Sequence, residues 1–174
     1  MKVAITGHRP NKLFVNGWQG YKAGYPVLVG YYERVFTKLK EEEGLTQVIS
    51  GMALGVDQAA AQAAINIGVP VLAVIPFLQQ PNVWRHADKV NYLSILTECS
   101  EQVVLQTKVP RTDLEVSRWL NERNHYMVDR CDLVIALWDE TPGGTGNCVK
   151  YAQTNKVAIR NAYKSWLKWR DALR

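Results

Sequence analysis

Short apolar runs alternate with longer amphipathic ones along the whole chain, and that alternation limits the fold more than any other feature. Val3-Ala4-Ile5 reads as a strand ending at Thr6-Gly7. Residues 26–40 set Val29, Tyr32, Val35, Phe36 and Leu39 at helical spacing, with Gly44 as the expected C-cap. Residues 47–50 read as a second strand, 57–67 as an Ala-rich helix, and 69–75 as a run apolar enough to be buried on both faces of a parallel sheet. The second half keeps the rhythm: helix 88–98, strand 102–105, helix 113–129 capped by Thr112, strand 133–138, helix 147–153, strand 157–159 and helix 162–173. Strands alternating with helices predict an α/β fold, a Rossmann-like three-layer α/β/α sandwich around a mostly parallel sheet.

The chain has 174 residues with no repeat, linker or low-complexity stretch, so a single domain over 1–174 is expected. Hydrophobic residues make up 47% and charged residues 21%, a balance that buries a core and excludes disorder. No run approaches the ~18 apolar residues of a membrane span, so no membrane partner is expected. The first residues lack a secretory h-region, and a cytoplasmic location follows as the expectation. Cys99, Cys131 and Cys148 are odd in number and form no CxxC pair, which argues against disulfides and a zinc site. Neither a metal nor a tightly held cofactor is expected. A net charge of +5 suits phosphate-bearing partners without requiring them.

Three predicted strand ends carry glycine or small polar turns: Thr6-Gly7-His8-Arg9, Ser50-Gly51-Met52-Ala53-Leu54-Gly55, and Pro142-Gly143-Gly144-Thr145-Gly146-Asn147. In a parallel sheet, ligands bind beyond the carboxyl ends of the strands, near a helix N-terminus. Unshielded backbone N–H groups and the helix dipole make such turns anion sites. The third turn is neither GxxxxGK[ST] nor GxGxxG. One glycine turn alone is most simply a tight turn; three on one sheet edge point to a phosphate cradle. Asp57 opens the Ala-rich helix, where capping explains it and a ribose hydroxyl is the second reading. His8 and Arg9 are placed to meet a phosphate, with solvated loop residues as the ordinary alternative. Arg123 and Asn124 lie in a polar helical patch, normally a solvated face. Trp84 is either a stacking residue or a cover over the core edge.

Residues 50–57, running on into Ala59-Ala60-Ala61 and Val71-Leu72-Ala73-Val74, resemble the core of the DNA-processing protein DprA. Glu122-Arg123-Asn124, Met127, the strand 132–137 and Pro142-Gly143-Gly144-Thr145-Gly146 resemble the phosphoribohydrolases called LOG. Both belong to the Rossmann-like SLOG superfamily. Thr6-Gly7-His8-Arg9-Pro10 together with residues 143–148 looks most like its YpsA/YspA-related branch. The resemblance implies a nucleotide-binding domain with ligand contacts at Thr6, Gly7, His8, Arg9, Ser50, Gly51, Ala53, Gly55, Asp57, Arg123, Asn124, Gly143, Gly144, Thr145, Gly146 and Asn147. It also implies a homo-oligomer. One departure matters: the LOG pattern PGGxGTxxE puts its Thr at Asn147 and its catalytic Glu at Lys150. A carboxylate stabilises an oxocarbenium-like charge and a lysine opposes it.

The leading expectation is therefore binding of a nucleotide, ADP-ribose or a related signalling molecule. The first rival is N-glycosidic hydrolysis by Arg123 with Asp57, Glu122 or Asp139 in place of the missing Glu. The second is DprA-like binding of single-stranded DNA.

Overall fold

A computed structural model describes residues 1–173. Six parallel strands form one sheet in the order β4-β3-β2-β1-β5-β6. They are β1 (Lys2–Gly7), β2 (Gln47–Ser50), β3 (Val71–Phe77), β4 (Glu101–Gln106), β5 (Leu133–Leu137) and β6 (Ala158–Asn161). The helices are α1 (Pro10–Leu13), α2 (Gly17–Glu43), α3 (Val56–Asn66), α4 (His86–Glu98), α5 (Asp113–Val128), α6 (Gly144–Thr154) and α7 (Tyr163–Ala172). The α/β three-layer expectation holds. Arg174, the last residue of the expected domain, lies outside the described residues.

Alternate side chains of each strand serve different helical layers. Val3 and Ile5 of β1 join Val56, Ala60, Phe36 and Trp166 in a core beneath α1 to α4 and α7. Ala4 joins Met127, Val134 and Cys148 beneath α5 and α6. All seven residues of β3 are buried, as a strand covered on both faces requires.

Several boundaries differ from expectation. The helix expected from residue 26 begins at Gly17 and runs through Pro26. Pro26 costs a backbone hydrogen bond. The added turns are held instead by aromatic packing, Phe14 on Tyr21 at 5.8 Å and Tyr21 on Tyr25 at 5.6 Å. β3 and β6 start two and one residues late. α6 starts three residues earlier than expected, at Gly144. Its glycines read as loop, yet they form the first helical turn.

Candidate functional site

β1 and β5 are sheet neighbours although the whole first half of the chain lies between them: Thr6 pairs with Ala136 and Gly7 with Leu137. From β1 the chain builds outward to β4, then returns to place β5 on the other side of β1. At that reversal the connections leave in opposite directions and open a crevice beyond the carboxyl ends. A cavity of about 590 Å³ lies there, within the range of small-molecule sites. Its walls are the segment after β1, Ala53 and Asp57 at the start of α3, one face of α5, and residues 141–147.

A buried ionic cluster forms part of this wall. Arg123 is only 7% exposed. Its Nη1 donates to the Gly51 carbonyl oxygen at 2.8 Å and stands 3.6 Å from Asp57 Oδ2. Nε and Nη2 both donate to Asn124 Oδ1, at 3.2 and 3.0 Å. Asn124 Nδ2 then donates to the Gly144 carbonyl at 3.2 Å, tying α5 to the start of α6. Asp57 does not cap α3: its Oδ2 accepts from the Ala53 N–H at 3.3 Å, bracing the turn before the helix. Burial pushes the Asp57 carboxyl up, opposed by Arg123, Arg9 and that N–H. Burial likewise pulls the Arg9 guanidinium down, opposed by Asp57.

The opposite wall is α6. Its N-cap, Gly143, has φ 147° and ψ −170°, a conformation glycine adopts without strain. The N–H groups of the first helical turn have no intrahelical acceptor. Those of Gly144, Thr145 and Gly146 have no other backbone partner among the described residues. Beside them His8 Nε2 lies 2.6 Å from Asp139 Oδ1 and 3.0 Å from the Asp139 backbone nitrogen, and Lys12 Nζ donates to Thr141 Oγ1 at 2.6 Å. Thr141 gives both its hydroxyl and its amide to Asp139. Burial opposes ionisation of Asp139, yet those two donors and His8 hold its carboxyl at about 2.

Of the residues singled out in the sequence, Thr6, Gly7, His8, Arg9, Ala53, Asp57, Arg123, Asn124, Gly143, Gly144, Thr145, Gly146 and Asn147 all line this one cavity. Ser50, Gly51 and Gly55 do not. Ser50 Oγ donates to the Asp57 carbonyl and accepts the Met52 N–H. Gly51 seats Arg123, and Gly55 is the N-cap of α3. The patch holding Arg123 and Asn124 is buried, contrary to a solvated face. Lys150 is exposed and off the cavity wall. Sequence reasoning missed Asn11, Lys12 and Thr141, and on α5 it missed Asp113, Val116, Ser117, Leu120 and Asn121. The α5 set follows the i, i+3, i+4, i+7 spacing that continues to Asn124, so a helical-face reading from Asn124 backwards finds it.

The profile of the YspA SLOG family matches residues 3–171. The chain belongs to that family. Among curated relatives, a UPF0398 protein of Bacillus thuringiensis (strain Al Hakam) is 25% identical over 97% of this chain and 91% of its own length. The UPF0398 protein YpsA of Bacillus subtilis (strain 168) is 27% identical over 83% of this chain and 80% of its own. Among solved structures, DprA of Streptococcus pneumoniae aligns with TM-score 0.58 at 22% identity. DprA of Helicobacter pylori, described for its single-stranded DNA binding mode, aligns with TM-score 0.61 at 18% identity. Each alignment covers 91% of this chain, but only 48% and 63% of those proteins. These structural likenesses establish the shared Rossmann-like fold. No helix among the described residues is long and apolar enough to cross a membrane.

Proposed function

We propose that the cavity binds a nucleotide or nucleotide-derived small molecule such as ADP-ribose, its phosphate resting on the first turn of α6. The observation that carries this reading is the convergence, in one cavity at the sheet's reversal point, of the first turn of α6 and the Arg9 side chain. The Arg9 carbonyl accepts the Lys12 N–H, but its side chain forms no hydrogen bond and no ion pair within 4 Å among the described residues, which leaves its planar fork to phosphate oxygens. Arg123, committed to Gly51, Asn124 and Asp57, supplies charge and holds the wall rather than gripping the ligand.

Binding is favoured over glycosidic hydrolysis because each of the three carboxylates weighed as substitutes for the missing Glu is already engaged within the fold. Asp57 is engaged by Arg123 and Ala53; Asp139 is engaged by His8 and Thr141; Glu122 accepts from Gln106. Arg9→Ala is expected to weaken AMP and ADP-ribose roughly 10- to 100-fold in calorimetry, the cost of one lost bond to a charged group, while adenosine is unaffected. Equal losses for nucleotide and nucleoside, or no nucleotide binding by the native protein, contradict the reading. Release of free base from AMP by the native protein returns the hydrolase. A second reading, single-stranded DNA binding, draws on the likeness to the Helicobacter protein and the net charge of +5. Its mark is oligonucleotide affinity that falls steeply with salt.

A further inference from the structure

Arg9 also lines a second cavity. This space of about 520 Å³ lies between the first turn of α2 and the segment leading into α4. Its character is different: Trp18, Trp84, Leu54 and Val83 supply an apolar lining, with Arg85 and Asp88 at the polar edge. Val83 is 90% exposed and Trp18 45%, an unusual outlay of apolar surface on a small domain. Trp84 is not a loose surface ring: it packs edge-on against Tyr92 of α4 at 5.4 Å and 82°. Trp18 is held in the same way by Tyr21, at 6.0 Å and 87°. Asp88 is nearly buried and fixed by Arg85, whose Nε and Nη2 donate to its two oxygens at 2.8 and 3.3 Å. A carboxylate oxygen keeps lone pairs beyond the one that Arg takes, so the edge offers an acceptor for an amino group.

We infer that this second cavity is the nucleobase subsite of the same ligand, taking an adenine-type ring against Trp18 and Trp84 while its phosphate passes Arg9 into the cradle. The inference rests on the proposed function, since Arg9 joins the two spaces. Stacking suits the place: every base presents a π-face, and aromatic stacking is sequence-tolerant but needs rings held in fixed orientation. The apolar cavity takes the ring, the glycine turn takes the charge, and Arg9 lines both.

The test titrates ADP-ribose, ribose 5-phosphate and adenosine into the native protein and into Trp18→Ala, Trp84→Ala and Trp84→Phe. Ribose 5-phosphate reports the cradle alone and adenosine the ring subsite alone. Trp84→Ala and Trp18→Ala are each expected to weaken ADP-ribose and adenosine by about tenfold or more, the usual loss for a stacked base. Both should leave ribose 5-phosphate unchanged, and Trp84→Phe should recover most of the loss. Unchanged ADP-ribose affinity in both alanine variants overturns the base subsite and leaves the cradle standing. Failure of ribose 5-phosphate and ADP-ribose to bind the native protein overturns the proposed function. Adenosine affinity that survives there and depends on the tryptophans supports the ring subsite by itself. A parallel loss for all three ligands in the alanine variants marks damage to the fold and overturns the assignment, provided Trp84→Phe fails to restore it.

Discussion

Arg123 carries a positive charge into a site where water reaches little of it, and Gly51 determines whether it fits. A Cβ at Gly51 would overlap the Arg123 guanidinium, so Gly51→Ala is expected to push that side chain off the Gly51 carbonyl and away from Asp57. The expected cost is about 1–3 kcal/mol in urea unfolding, since buried charged groups lose their partners. Arg123→Ala goes further by leaving the buried Asp57 carboxylate without its nearest cation, at up to about 3–5 kcal/mol. An unfolding midpoint unchanged by either substitution removes the ionic cluster from the account. The sequence marked Arg123, Asp57 and Gly51 separately, but not their association. Arg123 and Gly51 are 72 residues apart, and only the return of β5 to the side of β1 brings α5 over the turn after β2. A second residue-scale prediction concerns acid. Asp139 titrates lower in the fold than the unfolded carboxylate does, so its contribution is complete above about pH 4 and is lost as pH falls towards 2. Burial lowers His8 as well, which takes stability away as pH drops below about 6.5. Asp139→Asn is therefore expected to flatten acid unfolding between about pH 4 and 2, removing no more than about 2 kcal/mol of pH dependence. A denaturation profile with the native slope in that window contradicts it.

The α6 helix shows how a turn and a helix share one stretch of sequence. Gly143, with φ 147°, needs glycine, whereas Gly144 is helical and a Cβ there meets nothing within 4 Å. Resistance to positive φ therefore belongs to Gly143. Gly144→Val is expected to fold normally, within about 1 kcal/mol of native stability, because a side chain replaces glycine in a helix without a clash. Its isopropyl group occupies open space beside the first turn, so nucleotide affinity should fall by more than about tenfold in calorimetry. Unchanged affinity would move the phosphate elsewhere. At this scale the sequence was legible wherever periodicity or burial dominated: β2 and the single α-helix over 113–128 emerged nearly as read. It failed where packing overrode local chemistry. Pro26 and the glycines at 20 and 24 argue for a break, but Phe14, Tyr21 and Tyr25 hold the early turns of α2 together. The second cavity was half legible for the same reason, since Trp84 drew notice and Trp18 lay ahead of the helix expected from residue 26.

Across the whole molecule, the candidate site is assembled from both halves of the chain: the segments after β1 and β2 supply one side, α5 and the β5–α6 turn the other. A ligand held between them contacts groups that unfolding separates, so it binds the native state and has no matching site on the unfolded chain. Such a ligand must stabilise the fold by mass action, about 2.7 kcal/mol at one hundred times its dissociation constant. For a domain of this length that corresponds to a rise of roughly 5–10 °C in melting temperature. ADP-ribose is expected to produce that rise in the native protein and, at the same concentration, about half of it or less in Trp84→Ala and in Arg9→Ala, whose affinities are tenfold or more weaker. The Arg9 comparison is the most direct, because that residue lines both cavities and its side chain makes no hydrogen bond and no ion pair within 4 Å among the described residues. Its removal also takes away an attraction to the Asp57 carboxyl, so the ligand-induced rise is read against each protein's own unliganded melting temperature. An equal rise in Arg9→Ala and native protein would mean that the ligand stabilises some other surface. A rise produced by an oligonucleotide and abolished by salt, with none from ADP-ribose, would transfer the site to single-stranded DNA.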